Sequence, residues 1–160
     1  MLRDIFPPEY IIVNLKAADR DEAFAELVDH LCNAGKINGR KEILGAIAER
    51  EAKMSTGIEK GIAVPHGKTD AVNTVCGAVG ISRGGIDYDT LDGEPVYILF
   101  MVVAPPQDTE QHLKVLRHLA ELLENPQFHS ELQSQKDSQG VYNIICKYEE
   151  GVLSASSTRG

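Results

Sequence analysis

The feature that most limits how this chain can fold is its longest apolar run, Val96–Ala104 (VYILFMVVA). A helix that crosses a bilayer needs about 20 apolar residues, so this run is too short to span a membrane and instead suits a buried strand. Further strand patterns occur at residues 10–15 and 75–82, and helical patterns lie between them. Strands interleaved with helices predict an α/β fold: a single three-layer domain with a mixed parallel and antiparallel sheet, flanked by helices on both faces.

Two of the predicted helices carry start signals. Asp19, with Glu22 three residues later, predicts a capped helix that continues to about residue 33. Asp108 with Gln111 predicts a second capped helix, which ends near residue 125. Apolar spacing predicts further helices over residues 39–53, 126–134 and 138–148.

The length of 160 residues suits one domain, and neither a repeat nor a linker divides the chain. We assign residues 1–150 to that domain. Residues 151–160 end in a small, polar stretch, from which we expect a flexible C-terminal tail.

Charge and cysteine usage restrict the compartment and the partners. Sixteen Lys and Arg residues against 24 Asp and Glu residues give a net charge of −8, which argues against non-specific nucleic-acid binding. Cys32, Cys76 and Cys146 stand far apart without a CxxC pair, as expected for reduced thiols. The N-terminus lacks a signal-peptide pattern. We therefore expect a cytoplasmic protein with no nucleic-acid partner and no direct membrane insertion.

His66 is the first candidate functional residue, and it lies in the segment 61–68 (GIAVPHGK). Pro65 disfavours helical geometry at Val64, so the imidazole is expected at a strand-to-loop edge, with Gly67 clearing space for an incoming group. Since the ordinary pKa of histidine is about 6.5, such a side chain can be a neutral nucleophile at neutral pH. The alternative interpretation is a surface-loop histidine beside a structural proline.

His112 and Arg50 are polar residues on otherwise apolar helix faces. His112 lies in the middle of the apolar stripe of its helix, in the first turn, so it either lines a pocket or is a core histidine bonded to a backbone carbonyl. Arg50 continues a stripe that includes Ile43 and Ile47. It either caps the C-terminal end of its helix or reaches the loop of His66 to hold phosphate oxygens, with Glu51 as a possible ion-pair partner.

The remaining motifs carry little chemistry. His118 falls on the polar side of its helix, and we expect it to be solvated, while His30 and His129 are interpreted as structural or solvated. The segment 57–61 (GIEKG) matches neither of the two glycine patterns that bind nucleotide phosphates, GxGxxG and GxxxxGK(S/T). No spacing of ligands indicates a metal site, and we expect no cofactor.

Several segments together resemble a known family. Residues 50–51 (RE), 55–58 (STGI), 61–68 and 112–114 (HLK) are similar to the type 2 IIA domains of the phosphotransferase system, the fructose, mannitol and nitrogen-regulatory class. The resemblance extends over residues 10–148 and implies the α/β fold predicted above. Glu59 departs from it, because the family usually has a second glycine at that position.

The resemblance implies a function. His66 would accept a phosphoryl group on Nε2 from phospho-HPr or a paralogous carrier, and would pass it to a cysteine of a IIB domain. His112 would stabilise the phosphoryl group, Arg50 would neutralise its charge, and Thr56 with Gly57 would bind it through a hydroxyl or a backbone N–H. The second ring nitrogen of His66 would donate to an acceptor that the sequence does not identify.

Three functions remain open at this point. The chain is a IIA for fructose-type sugar uptake, a nitrogen-regulatory IIA that binds a target protein according to its phosphorylation state, or a non-phosphorylated binding module on the same fold. We expect positive charge at the rim of the site from Arg50, Lys60 and Lys68. We expect a flat apolar contact for the partner from Ile58, Ile62 and Val64.

Overall fold

In the computed structural model, which describes the backbone of residues 1–159 and the side chains of residues 1–155, six strands form one sheet. They are β1 (Ile11–Ile12), β2 (Gly57–Ile58), β3 (Ile62–Ala63), β4 (His66–Lys68), β5 (Cys76–Ile86) and β6 (Val96–Ala104). The order is β1-β5-β6-β3-β2, and β4 also pairs with β6. β5 and β6 are antiparallel, whereas β1 is parallel to β5, and β3 and β4 are both parallel to β6. The mixed sheet is therefore confirmed.

Helices cover both faces of this sheet. They are α1 (Leu2–Ile5), α2 (Arg20–Gly35), α3 (Arg40–Lys53), α4 (Thr109–Leu123), α5 (Pro126–Ser134) and α6 (Ser138–Arg159). One apolar core joins the sheet to α2 and α3, and a second joins it to α1, α4, α5 and α6. The predicted three-layer arrangement is confirmed.

β6 contributes to both cores, which explains its unbroken apolar sequence. Alternate side chains enter the core on the α4 side: Ile98, Phe100 and Val102. The residues between them enter the core on the α2 and α3 side: Leu99, Met101 and Val103. Because successive side chains of a strand point to opposite faces, a strand with helices on both faces needs apolar residues at every position.

The two predicted helix caps differ in outcome. The Asp19 side chain accepts a hydrogen bond from the Glu22 backbone N–H at 2.9 Å, so the start of α2 is confirmed. Asp108 precedes α4 as expected, but its side chain makes no capping hydrogen bond, and only its backbone carbonyl accepts from the His112 N–H at 3.1 Å. The predicted side-chain cap at Asp108 is therefore wrong.

Both ends of the chain also differ from expectation. The strand predicted over residues 10–15 shortens to β1: a 3₁₀ turn ends at Tyr10, and residues 13–15 lie outside the strand. At the other end α6 continues past the predicted residue 148 to Arg159, and Val152 packs against the core on the α4 side. Residues 151–159 are thus helical in backbone, while Gly160 of the predicted tail lies outside the described residues. The division into a domain of residues 1–150 and a flexible tail stays a prediction.

We expect Phe100→Ala to reduce the free energy of unfolding by about 3–5 kcal/mol, because it leaves a cavity at the centre of a core. Phe100 is fully buried, and its ring lies 5.5 Å from that of Phe6 and 6.3 Å from that of Phe128. Urea unfolding followed by circular dichroism measures the change. Leu91→Ala is the control, since this leucine is 81% exposed, and its effect should stay within about 0.5 kcal/mol. Equal losses in both variants would contradict this account of the core.

Candidate functional site

A cleft of about 390 Å³ lies where β4 meets α3 and α4. His66 is the first residue of β4 and pairs with Val102 of β6, which fixes its backbone at the edge of the sheet. The lining residues come from all three elements: Ala46, Glu49, Arg50 and Lys53 from α3, His66, Gly67 and Lys68 from β4, and His112, Leu113 and Leu116 from α4. The structure thus brings together His66, His112 and Arg50, which are far apart in the sequence.

Gly67 allows α3 to approach the strand that carries His66. A Cβ atom at position 67 would lie 2.8 Å from the carbonyl carbon of Ala46 and 3.0 Å from the backbone nitrogen of Ile47. Any side chain would therefore push α3 outwards and carry Arg50 away from the cleft. The expectation that Gly67 clears space for an incoming group is wrong, because the backbone of α3 already fills that space.

One hydrogen bond determines the tautomer of His66. Its Nδ1 lies 2.8 Å from the backbone carbonyl oxygen of Val64, which can only accept. Nδ1 must therefore carry the proton, and in the neutral ring Nε2 keeps its lone pair. The acceptor that the sequence left unidentified is the carbonyl of Val64.

Burial and charge keep this imidazole neutral. Burial lowers the pKa of His66 below its ordinary value, and the positive charge of Arg50 lowers it further. The hydrogen bond to Val64 and the negative charge of Glu51 act in the opposite direction on the pKa of His66 without reversing the shift. A neutral ring with a free Nε2 is a competent nucleophile at neutral pH.

His112 lies against His66 with its own ring almost fully buried. The two ring centroids are 5.8 Å apart and the rings are inclined by 72°, an edge-to-face arrangement. His112 is 3% exposed, and burial, assisted by the charges of His66 and Lys68, lowers its pKa to about 4. Its Nε2 has no hydrogen-bond partner among the described residues. The alternative in which a backbone carbonyl binds His112 is therefore not seen at Nε2. Because buried polar atoms usually have hydrogen-bond partners, this unpaired nitrogen beside His66 indicates a place for a polar ligand.

Arg50 combines the two roles that the sequence left open. It lines the cleft, and its Nη1 donates to the backbone carbonyl of Met54 at 2.8 Å, at the C-terminal end of α3. Among the described side chains no ion pair joins Arg50 to Glu51. Glu51 is instead buried, and it accepts hydrogen bonds from Thr56. The suggested Arg50–Glu51 pair is therefore wrong.

Thr56 and Gly57 do not line the cleft, in contrast to the prediction. The backbone N–H and the hydroxyl of Thr56 both donate to the Glu51 carboxylate, and the Gly57 N–H donates to the Ser55 hydroxyl at 3.1 Å. Neither residue has a donor left for an oxyanion in the cleft. The predicted direct contact with a phosphoryl group is absent from this geometry, and Thr56 belongs to the layer behind His66.

The sequence missed part of the rim. Lys53, one helical turn after Arg50, and the half-exposed Leu113, next to His112, line the cleft together with Leu116. Helical spacing was the available signal, because residues three or four apart share a face. Lys68 also lines the cleft, as predicted, and its ammonium group lies 3.3 Å from the Thr109 hydroxyl.

The β2–β3 hairpin turns away from His66. Ile58, Glu59, Lys60 and Ile62 line a separate groove of about 640 Å³, so the predicted place of Lys60 at the rim of the site is wrong, and neither Ile58 nor Ile62 lines the cleft. Positive φ angles occur at Lys60 and Gly61, at 65° and 82°, but not at Glu59. The hairpin therefore does not require a glycine at position 59, and Glu59 leaves the cleft unchanged.

The remaining histidines are structural. His118 is not solvated as predicted, because its Nε2 lies 3.0 Å from the fully buried carboxylate of Glu149. His129 bonds through Nε2 to the Leu123 carbonyl at 2.6 Å, and the buried Nε2 of His30 has no partner within the described part of the chain. In that same part, no cluster of His, Cys, Asp and Glu side chains is arranged to hold a metal ion, and no helix has the length and apolarity needed to cross a bilayer.

Comparison with known proteins shows the family of this chain. The family model described as "Phosphoenolpyruvate-dependent sugar phosphotransferase system, EIIA 2" matches residues 4–148. The fructose-specific EIIA component of Haloferax volcanii is 34% identical over 146 residues, which cover 91% of this chain and 95% of that protein. The fructose-specific EIIABC component of Bacillus subtilis is 32% identical over 149 residues, 93% of this chain but only 24% of that protein, so this chain spans about a quarter of its length.

A solved structure gives the same result. The crystal structure of the nitrogen regulatory protein IIA-Ntr from Neisseria meningitidis superposes with a TM-score of 0.83 at 26% identity, covering 90% of this chain and 98% of that one. The chain therefore belongs to the EIIA 2 family of the phosphoenolpyruvate-dependent sugar phosphotransferase system. Within that family it is a phosphotransferase component whose relatives carry fructose-specific and nitrogen-regulatory names.

The low pKa of His112 predicts a dependence of stability on pH. Below about pH 6.5 the unfolded chain binds a proton at position 112, whereas the folded chain does so only near a pKa of about 4. The free energy of unfolding should therefore fall as the pH falls through this window. In His112→Gln the fall should be shallower by up to about 1.4 kcal/mol per pH unit, measured by urea unfolding at several pH values. Parallel curves for the two proteins would show that His112 is not buried in its neutral form.

Proposed function

We propose that this chain carries a phosphoryl group on Nε2 of His66, which it takes from phospho-HPr or a paralogous carrier and passes to a IIB domain for fructose-type sugar uptake. The donor loses its phosphorus–nitrogen bond as a new bond forms between phosphorus and Nε2 of His66. The reaction demands alignment of the nucleophile and stabilisation of the charge on three phosphoryl oxygens, and little other chemistry.

The observation that carries the proposal is the hydrogen bond from Nδ1 of His66 to the carbonyl of Val64 at 2.8 Å. It leaves the lone pair on Nε2 and holds the ring in one orientation. A surface-loop histidine beside a structural proline has no need of such a fixed tautomer. The bond therefore favours a nucleophilic role over the structural alternative.

The groups around His66 suit a phosphoryl group. Arg50 and Lys68 bring positive charge to the cleft, and a guanidinium binds two oxygens of one phosphoryl group at once. His112 is neutral near pH 7, and its unpartnered Nε2 would donate to a phosphoryl oxygen in the Nε2–H tautomer. A bound phosphoryl group would thus pair a buried polar atom that otherwise has no partner.

The surroundings of the cleft suit a transient protein partner. Leu113, which is 47% exposed, and Leu116 offer an apolar contact, and Lys53 adds positive charge that attracts the anionic phosphoryl group of the donor. The name of the Bacillus subtilis relative joins A, B and C components, which supports a IIB domain as the acceptor. The three cysteines are free thiols, which supports a cytoplasmic location.

The second candidate is a nitrogen-regulatory IIA, which would signal by binding a target protein according to its phosphorylation state. The likeness to IIA-Ntr over 98% of that chain favours this candidate. Over 146 residues the fructose-specific relative is 34% identical and a nitrogen regulatory protein of Bradyrhizobium diazoefficiens is 29% identical, so we place fructose-type transfer first. Both candidates use the same phosphohistidine.

We expect one phosphoryl group to be added to the protein on incubation with phosphoenolpyruvate, Enzyme I and HPr, and none to be added to His66→Ala. Nε2 of His66 is the only nucleophile in this mechanism, and a phosphohistidine is lost in acid. Intact-mass analysis before and after acid treatment measures both properties.

The same assay separates the alternatives. Loss of the group on addition of a fructose IIB domain supports sugar uptake, whereas phosphorylation only by the nitrogen-branch donor pair supports the regulatory candidate. If neither donor pair adds mass to the folded protein, phosphoryl transfer is refuted, and the chain is then a binding module on the same fold.

Arg50→Ala should slow the phosphorylation of His66 by about a hundredfold, since it removes a charge that stabilises the developing oxyanion. Arg50→Lys should restore only part of the rate, because an ammonium group cannot bind two oxygens in the fork geometry of a guanidinium. Quenched-flow mass analysis measures the rates. Arg40→Ala is the matched control, since it removes the same charge from the opposite end of α3, where Arg40 pairs with Asp29. Equal rates for Arg50→Ala and Arg40→Ala would remove Arg50 from the mechanism.

A further inference from the structure

Glu51 is a buried acid next to the site that the proposed mechanism does not use. It is 5% exposed, and it follows Arg50 in α3 without lining the cleft. Removing a carboxylate from water is costly unless hydrogen bonds replace the lost hydration. A buried carboxylate so close to a functional histidine therefore needs a reason for its presence.

Thr56 satisfies this carboxylate on both oxygens. Its backbone N–H donates to Oε1 at 3.0 Å, and its hydroxyl donates to Oε2. The Tyr88 hydroxyl lies 2.7 Å from the Thr56 hydroxyl. Since the single proton of the Thr56 hydroxyl points to the carboxylate, Tyr88 is the donor in this second contact. Glu51, Thr56 and Tyr88 form a buried polar cluster, in which the most exposed residue, Thr56, is 7% exposed.

The cluster continues through the backbone to His66. The carbonyl of Thr56 accepts from the Val64 N–H at 3.0 Å, and the carbonyl of Val64 accepts from Nδ1 of His66 at 2.8 Å. Three successive links thus join Glu51 to the imidazole: Glu51 to Thr56, Thr56 to Val64, and Val64 to His66. In such a chain each hydrogen bond orients and polarises the next.

We propose that Glu51 is a positioning residue for phosphoryl transfer, which acts through Thr56 and Val64 to hold His66 in the tautomer with its proton on Nδ1. Glu51 fixes Thr56, the carbonyl of Thr56 fixes the peptide of Val64, and the carbonyl of Val64 holds the proton of Nδ1. This inference rests on the proposed function, because the bare Nε2 matters only if it receives the phosphoryl group.

Glu51 also acts on His66 through its charge. Its negative charge raises the pKa of His66, against the larger effect of burial and in opposition to Arg50. Replacing the carboxylate with an amide removes that charge while keeping nearly the same volume. An amide also offers one acceptor oxygen in place of two, so the N–H and the hydroxyl of Thr56 could not both keep their present hydrogen bonds. The loss of charge acts on His66 directly through space, whereas the change at Thr56 reaches it along the path described above.

The test uses Glu51→Gln and Thr56→Val, with Thr56→Ser as the conservative variant that keeps the hydroxyl. The ¹⁵N shifts of the His66 ring report the tautomer and its pKa in the unphosphorylated protein, and quenched-flow mass analysis reports the phosphorylation rate. We expect both disruptive variants to show an Nε2–H fraction of His66 that the parent protein lacks, and a rate lower by about tenfold. We also expect a lower His66 pKa in Glu51→Gln, and near-parent behaviour in Thr56→Ser.

Glu149→Gln is the matched control. Glu149 is also a fully buried carboxylate, and it accepts from the Leu2 N–H at 2.6 Å and from His118, away from the cleft. This variant should lower the melting temperature but leave the tautomer, the pKa and the phosphorylation rate of His66 as they are in the parent protein.

Four results would overturn the inference. The first is an unchanged His66 tautomer in folded Glu51→Gln and Thr56→Val, and the second is a slower rate without any change in the ring. The third is the same ring change in Glu149→Gln, which would indicate a general loss of rigidity, and the fourth is Thr56→Ser behaving as Thr56→Val does.

If Glu51→Gln fails to fold, Thr56→Val decides, since it keeps the carboxylate and the N–H bond. The ring measurement needs no phosphodonor, so failure of the parent protein to be phosphorylated would refute the proposed function separately.

Discussion

The close approach of α3 to β4 at Gly67 is the constraint on which the rest of the site depends. A Cβ atom there would lie 2.8 Å from the Ala46 carbonyl carbon, so only glycine lets the two backbones pack at this distance. α3 carries Arg50 on the side that faces the cleft and Glu51 on the side that faces the interior. One backbone contact therefore places a cation in front of His66 and an acid behind it.

The polar groups around His66 are arranged in two layers that differ in hydrogen bonding. Towards the cleft lie cations and the neutral, unpaired His112, which can respond to an arriving phosphoryl group. Behind the imidazole lie groups that are already paired, from the carbonyl of Val64 to the carboxylate of Glu51. A paired inner layer and a layer with unpaired donors suit the transfer proposed above, because the nucleophile of that mechanism must stay aligned while the phosphoryl group comes and goes.

Much of the fold was predictable because local patterns and tertiary structure agree in this chain. The apolar run at β6 forms a strand with the predicted bounds, and Asp19 begins α2 as its spacing predicts. His66 and His112 both line the cleft, although the family resemblance, rather than spacing alone, brought them together. The errors at the site share one cause. The roles of Gly67, Thr56 and Glu51 depend on which residues lie across from them, and neighbours along the chain do not determine that.

The sequence by itself determined the α/β class, the bounds of β6 and the family, and it singled out His66 as the candidate nucleophile, because these depend on residue type, periodicity and motif. Only the tertiary structure decided which hydrogen-bond donors face the cleft and which are already bonded to acceptors behind it. Arg50 and Glu51 are adjacent in sequence, yet successive residues of a helix point about 100° apart, so one lines the cleft and the other enters the core. The partner of Nδ1 was likewise decided by the turn of the backbone at Pro65, which brings the Val64 carbonyl to 2.8 Å from the ring of His66.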